Sequence, residues 1–163
     1  MFGSALMMMA QAASPEAFAP AGDWVLDDRE GCTLSRPFSS AAGPVTLALM
    51  TNIGTPGGKV VLAMPGRVDQ YEVDEGAIKL DADGASFPTV WSRVAKRGRG
   101  YQDVTIRPAD GFWSALPRAK RLTTDVSRHR QVTLDVGAMG SVTAALNACR
   151  TEKLAALPVK RRR

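Results

Sequence analysis

The sequence predicts an α+β domain, in which a mainly antiparallel β-sheet, either a sandwich or a partial barrel, has a C-terminal amphipathic helix packed on it. Two observations predict this class. Apolar and polar residues alternate with a period near two over most of the chain, and turn residues interrupt the pattern at short intervals. Near the end of the chain the apolar residues recur every three or four positions, which is typical of an amphipathic helix.

The organisation of the chain begins with an apparent export signal. The apolar stretch Ser4–Ala13 runs into Ala10–Ala12, which has the small-x-small form of a signal-peptidase site. No Lys or Arg precedes this stretch, so either the true start lies upstream or the segment is a Met-rich terminus or a small hydrophobic anchor. We predict a signal-peptide remnant (1–12), a flexible Ala/Pro-rich leader (13–22), one globular domain (23–158) and a basic tail (159–163).

The alternating pattern places the strands. Gly111–Leu116 fits either a short strand or a helical turn before Pro117. Ser141–Leu157 has helical spacing, with Ser141 as the expected N-cap and Pro158 after the end. The predicted strands are Trp24–Leu26, Cys32–Phe38, Val45–Met50, Lys59–Met64, Tyr71–Val73, Ile78–Leu80, Thr89–Val94, Tyr101–Ile106 and Gln131–Val136.

The two cysteines point to a compartment. Cys32 and Cys149 form no Cys-x-x-Cys pair, and no histidine stands near either of them to complete a zinc site. In an oxidising compartment two such cysteines form a structural disulfide, which predicts a periplasmic or secreted protein. Cys149 falls on the apolar stripe of the predicted helix, so this bond would hold the helix over the first strands. The alternative is a cytosolic protein with two buried free thiols.

The positions of these residues support a resemblance. Trp24, the segment Cys32–Phe38 and the segment Ala144–Cys149 together are similar to small exported bacterial proteins of unknown function. The resemblance covers scattered positions over most of the chain. It implies a signal at the amino terminus and one cysteine in each terminal region, and it implies no activity.

The net charge of +5 is concentrated in one part of the chain. Residues 93–130 contain ten basic and three acidic side chains, whereas residues 1–92 contain five basic and eleven acidic ones. The basic segment predicts a cationic face for an anionic glycan, a lipid head group or an acidic envelope protein. The predicted face consists of Arg93, Lys96, Arg97, Arg99, Arg118, Lys120 and Arg121. The alternative is that these charges are spread over a solvated surface and partly paired with the acidic half.

Other partners fit less well. The acidic half would repel phosphates and few aromatic residues are present for base stacking, which disfavours nucleic acid. No apolar run approaches the length of a membrane-spanning helix. The sequence predicts no catalytic residue, no metal site and no cofactor.

Three features of the sequence resemble catalytic or metal sites but are incomplete. Leu80–Ser86 and Leu134–Ala138 loosely resemble the aspartic-protease loop, but both lack the hydroxyl residue between Asp and Gly. Asp81 and Asp83 suggest a calcium loop, but no Glu follows to close it. His129, the sole histidine, has no evident base or orienting partner.

These observations predict a periplasmic binding or envelope-accessory module that is not an enzyme. Two alternatives remain at this point. One is an envelope hydrolase whose site is assembled from distant residues such as Asp81, Asp135 or His129. The other is an inhibitor or assembly accessory of another envelope protein.

Overall fold

A computed structural model describes residues 15–55, 57–66, 78–127 and 130–158 of the chain. It confirms the predicted class, because an antiparallel-rich sheet curls into a nearly closed, barrel-like shape and the C-terminal helix packs on it. Four predictions lie outside the described residues: the signal-peptide remnant (1–12), the strand at Tyr71–Val73, His129 and the basic tail (159–163).

Eleven strands and two helices make up the described part of the chain. The helices are α1 (Asp110–Ala115), which continues into a 3-10 turn (Leu116–Arg118), and α2 (Gly140–Ala156). The strands are β1 (Glu16–Pro20), β2 (Val25–Asp27), β3 (Cys32–Ser40), β4 (Gly43–Thr51), β5 (Gly58–Pro65), β6 (Leu80–Ala82), β7 (Ala85–Phe87), β8 (Thr89–Gly98), β9 (Tyr101–Pro108), β10 (Arg121–Ser127) and β11 (Arg130–Asp135).

The strands form one sheet in the order β7-β6-β10-β11-β1-β3-β4-β5-β9-β8, and β2 pairs with β3 beside this path. The pairs are antiparallel except for β1 with β11. Successive side chains point to opposite faces of a strand. The inner face therefore collects the apolar residues of the core, among them Leu47, Leu62, Val104, Ile106 and Leu134.

The predicted flexible leader is wrong over Glu16–Pro20, because these residues form strand β1 inside the sheet. Its first residues pair in parallel with β11, and its last two pair with Phe38 and Ser39 of β3. Phe18 is 2% exposed and belongs to the core. The Ala- and Pro-rich composition concealed the strand, since one buried Phe between two alanines produces only a weak alternating pattern.

Helix α2 closes one end of the sheet, as predicted. Its buried residues Thr143, Leu146 and Cys149 are spaced by three and form one stripe. The predicted disulfide is confirmed, and it joins Cys149 to Cys32 at the start of β3 with Cα atoms 6.0 Å apart. Arg150 also holds the helix to the sheet. Its guanidinium donates hydrogen bonds of 3.0 Å to carbonyl oxygens in the loop between β4 and β5.

The structure corrects one local expectation and decides one open alternative. The helix begins at Gly140 after Met139, so Ser141 lies inside the first turn and is not the N-cap. Within this first turn the Thr143 hydroxyl donates a hydrogen bond of 2.8 Å to the Met139 carbonyl oxygen. The ambiguous segment before Pro117 is helical (α1), and its Phe112 packs edge-on against the side chain of Phe87.

The disulfide should account for a large part of the stability. Replacing both Cys32 and Cys149 by Ser should lower the free energy of unfolding by about 4 kcal/mol, since the bond closes a loop with a sequence separation of 117 residues. Urea denaturation followed by circular dichroism measures this value. Reduced wild-type protein should match the double variant, and equal stability of the oxidised and reduced forms would contradict the assignment.

A second variant tests whether β1 belongs to the core. Phe18→Ala should cost about 3–4 kcal/mol of unfolding free energy, because the ring is buried beside β3 and β11. Ala17→Ser changes an exposed neighbour and should leave the midpoint nearly unchanged. A flexible leader would make both substitutions silent in the same denaturation experiment.

Candidate anion-binding face

The hairpin between β8 and β9 places the first group of predicted basic residues. Gly98 pairs with Tyr101, so Arg99 and Gly100 form a two-residue turn. Arg99 and Gly100 have φ angles of 51° and 76°, the left-handed region that such hairpin turns require. This turn joins the predicted strands at Thr89–Val94 and Tyr101–Ile106 into a hairpin.

The outer side of this hairpin gathers three cations. Arg93 on β8 pairs with Thr105 of β9, while Arg107, two residues further along β9, pairs with Trp91. Since Val60 of β5 pairs with Ile106, the register places Lys59 on the other side of Arg107. All three cationic side chains are exposed, and they point away from the core because their neighbours Val104, Ile106 and Val60 point into it.

We refer to Lys59, Arg93 and Arg107 as the cationic face. Diagonal neighbours on adjacent strands are about 7–8 Å apart and direct neighbours are closer, so the three charges lie within reach of one polyanion. No ion pair joins any of them to a carboxylate within the described residues. Because like charges that face each other across a sheet destabilise it, a bound anion would relieve the repulsion here.

Two further residues border the cationic face. Trp91 is partly buried and lies directly across from Arg107. Arg97 forms an ion pair with Asp103 at 3.5 Å, so part of its charge is already compensated. The face thus combines uncompensated cations with one aromatic ring.

The other predicted basic residues do not all join this face. Lys96 pairs with Gln102, a buried residue, and so belongs to the inner side of β8, although Lys96 itself is exposed. Arg99 lies on the hairpin turn itself. Both flank the free end of the hairpin.

The group Arg118, Lys120 and Arg121 lies at the opposite end of β9. The eight residues of that strand separate the Arg99 turn from α1 and the 3-10 turn by roughly 23 Å. The backbone amides of Lys120 and Arg121 donate to the Asp83 carboxylate, at distances from 2.9 to 3.1 Å. The predicted seven residues therefore divide into four on β8 and its turn and three that follow the other end of β9.

Pairing between the basic segment and the acidic half also occurs. Arg130 donates to both carboxylate oxygens of Glu16, at 2.8 and 3.0 Å, and to the carbonyl oxygen of Pro65 at 3.0 Å. This contact ties β11 to β1 and to the end of β5. The charge of Arg130 is therefore compensated by Glu16, whereas the three charges of the cationic face have no carboxylate partner among the described residues.

Lys59 and Arg107 were absent from the sequence prediction. Lys59 was overlooked because it stands in the acidic half of the chain, and Arg107 because it follows the predicted strand Tyr101–Ile106. Only the register of three strands shows that both lie on the same side of the sheet as Arg93.

The two candidate catalytic aspartates, Asp81 and Asp135, do not meet. Asp81 on β6 and Asp135 on β11 lie on opposite sides of β10, at positions opposite Thr123 and Arg121 respectively. Two strand spacings and two residues put the carboxylates roughly 12 Å apart, too far to share a proton. Asp83 lies in the Asp-Gly hairpin turn between β6 and β7.

A cleft of about 630 Å³ lies beside the disulfide, between the loop that follows β2 and the loop that follows β4. Its lining combines the apolar Met50 and Ile53 with Asp27 and Arg29. Arg29 donates two hydrogen bonds to the Asp27 carboxylate from its guanidinium and one from its backbone amide. These bonds and the positive charge lower the pKa of Asp27 to about 2.

Comparison with known proteins returned no matching family model, no matching curated protein and no matching solved structure. No group of His, Cys, Asp or Glu side chains suited to a metal ion occurs in the described ranges. None of the helices in the described part of the chain combines the length and the apolar character needed to cross a bilayer.

The Asp27–Arg29 contact can be tested by titration. Arg29→Ala should raise the pKa of Asp27 from about 2 toward its ordinary value of 3.8, because the bonds to the ionised carboxylate are lost. The contact stabilises the folded state at pH values above the ordinary pKa of 3.8, and this stabilisation is lost as the pH falls toward 2. Carboxyl chemical shifts measured by NMR report the change directly. If the pKa of Asp27 stays near 2 in the variant, Arg29 is not the cause of the lowered pKa.

Proposed function

We propose that this chain is an exported, non-enzymatic binding module of the bacterial envelope, and that its cationic face binds an anionic partner. The observation that carries the proposal is the alignment of Lys59, Arg107 and Arg93 on three adjacent strands, exposed and without a carboxylate partner among the described residues. A sheet that brings like charges together loses stability, which is recovered when an anion binds.

The disulfide supports the location. Disulfides form and persist outside the cytoplasm, and this one links the first long strand to the final helix. The apolar stretch at Ser4–Ala13 adds the expectation of an export signal. An envelope protein meets anionic glycans, anionic lipid head groups and acidic proteins, which all present the oxygen anions that guanidinium groups bind.

The separation of Asp81 from Asp135 supports a binding role over a hydrolase built on these two carboxylates. Asp81 and Asp135 lie on the outer side of the sheet and are separated by β10. The cationic face has the opposite arrangement, since its members meet through the register of neighbouring strands. The positive charge of the cationic face attracts and orients an anionic partner.

Binding to polyanions should depend on salt and on the cationic face. We expect Arg93→Ala/Arg107→Ala to weaken affinity for dextran sulfate by about tenfold, because two charge contacts are lost. Arg118→Ala/Lys120→Ala removes the same charge outside the cationic face and is the matched control. Affinity is measured by isothermal titration calorimetry at several salt concentrations, and it should fall as salt rises.

Parallel titrations with phosphatidylglycerol vesicles and with poly-glutamate distinguish lipid and acidic protein from glycan as the preferred partner. Equal weakening by the two double variants would remove the cationic face from the proposal. Affinity that is indifferent to salt would contradict it altogether.

A further inference from the structure

The cleft beside the disulfide and the cationic face adjoin each other on the outer side of the sheet. Met50, which lines the cleft, is 38% exposed and points outward, since its chain neighbour Leu49 is fully buried. Met50 pairs directly with Lys59 of β5. Side chains in such direct pairs have Cβ atoms about 4.5–5.5 Å apart. The cleft and the first charge of the cationic face are therefore neighbours.

A single row of outward side chains connects the two regions. Its first three members line the cleft, and its last two belong to the cationic face. The row crosses five adjacent strands and consists of Asp27 (β2), Thr33 (β3), Met50 (β4), Lys59 (β5) and Arg107 (β9). Four strand spacings separate its ends, roughly 19 Å along the sheet. A linear ligand that lies across the strands can therefore contact both regions at once.

The charge reverses along this row. Asp27 is ionised at neutral pH, because Arg29 lowers its pKa to about 2, and Arg29 balances its charge. Glu30 also lines the cleft, is exposed, and forms no ion pair in the described part of the chain. These three residues leave one net negative charge at the cleft, whereas Lys59 and Arg107 are positive. An anionic group of a ligand is therefore repelled from the cleft and attracted to the cationic face.

The lining of the cleft suits a ligand that carries hydroxyl groups. The Glu30 carboxylate accepts hydrogen bonds, and the side-chain amide of Asn52 both donates and accepts them. Met50 and Ile53 add apolar contact surface. A sugar ring presents hydroxyl groups around its rim and C–H groups on its faces, so it matches both kinds of lining.

The same lining disfavours the other anionic partners. An acyl chain would deprive the polar groups of the cleft of their hydrogen bonds to water without replacing them. A continuous series of carboxylates, as in an acidic peptide segment, would be repelled by Glu30. The cleft volume of about 630 Å³ lies within the range of small-molecule sites.

We propose that the cleft and the cationic face form one continuous site for an acidic oligosaccharide, with neutral sugar units in the cleft and an anionic unit at Lys59 and Arg107. This inference rests on the proposed function and selects the anionic glycan among its candidate partners. The ammonium and guanidinium groups bind the oxygen anions of the acidic unit. The reversal of charge along the row fixes the direction in which the oligosaccharide lies.

The probe is a trisaccharide of two neutral xylose units and one terminal glucuronate. Xylotriose lacks the charge and free glucuronate lacks the neutral units, so these two compounds are its counterparts. The acidic trisaccharide should bind at least about tenfold more tightly than either counterpart, because it alone contacts both ends of the row. Isothermal titration calorimetry measures the affinities, and NMR shifts of the Met50 and Ile53 methyl groups report occupancy of the cleft.

A double variant tests the cleft. Glu30→Ala/Asn52→Ala should weaken binding of the acidic trisaccharide by about tenfold, because hydrogen bonds to the neutral units are lost. Binding of dextran sulfate to the cationic face should not weaken. Glu152→Ala/Asn147→Ala makes the same chemical change at exposed positions of α2 and is the matched control.

A second double variant tests the anionic end. Lys59→Ala/Arg107→Ala should reduce the affinity for the acidic trisaccharide to that for xylotriose, and it should leave xylotriose binding unchanged. Circular dichroism of each variant confirms that it is folded before binding is measured.

The outcomes separate this inference from the proposed function. If the acidic trisaccharide binds no more tightly than glucuronate, or if Glu30→Ala/Asn52→Ala leaves its affinity unchanged, the continuous site is overturned, and binding of dextran sulfate alone leaves the cationic face in place. If neither ligand binds, both proposals fail. Shifts of the Met50 and Ile53 methyl signals with octyl sulfate or poly-glutamate, but not with the trisaccharide, would identify an acyl chain or an acidic peptide as the occupant and would also overturn the inference.

Discussion

The covalent bond between Cys32 and Cys149 is the constraint on which the arrangement of the molecule depends. It fixes the last helix to the first residue of β3, at the end of the sheet where the loops after β2 and β4 also meet. Leu146 and Cys149 are buried against this end, and Arg150 binds the loop between β4 and β5. Without the bond, α2 would be held by one narrow stripe of side chains, which is a weak anchor for a helix.

Closure of the sheet depends on a second, non-covalent join. Strand β1 uses its first residues to pair in parallel with β11 and its last residues to pair with β3, so a single short strand connects two halves of the sheet. Arg36 reinforces the same region from the inner side: its guanidinium donates to the carbonyl oxygens of Gly22 and Val136 and lies near the rings of Trp24 and Phe38. The sheet curls because these contacts draw its two halves together.

The two ends of the sheet carry different features. One end is occupied by α2, the disulfide and the second basic group at Arg118–Arg121, while the β8–β9 hairpin turn lies at the other end. The outward side chains of the cationic face come from three neighbouring strands, β5, β9 and β8.

The sequence by itself determined the fold class, most strand positions, the helix at the end and the disulfide, because alternation, helical spacing and an isolated pair of cysteines are local or countable signals. It did not reveal β1, whose two alanines around Phe18 hide the buried face, or the helical state of α1, which packs Phe112 against Phe87. Tertiary structure alone decided which cations meet. Lys59 and Arg107 stand far apart in the chain and become neighbours only through the register of β5 with β9, whereas Arg99 and Arg118, much closer in sequence, are held apart by the length of one strand. Register is set by the burial of the opposite face over the whole sheet, and no short stretch of sequence contains that information.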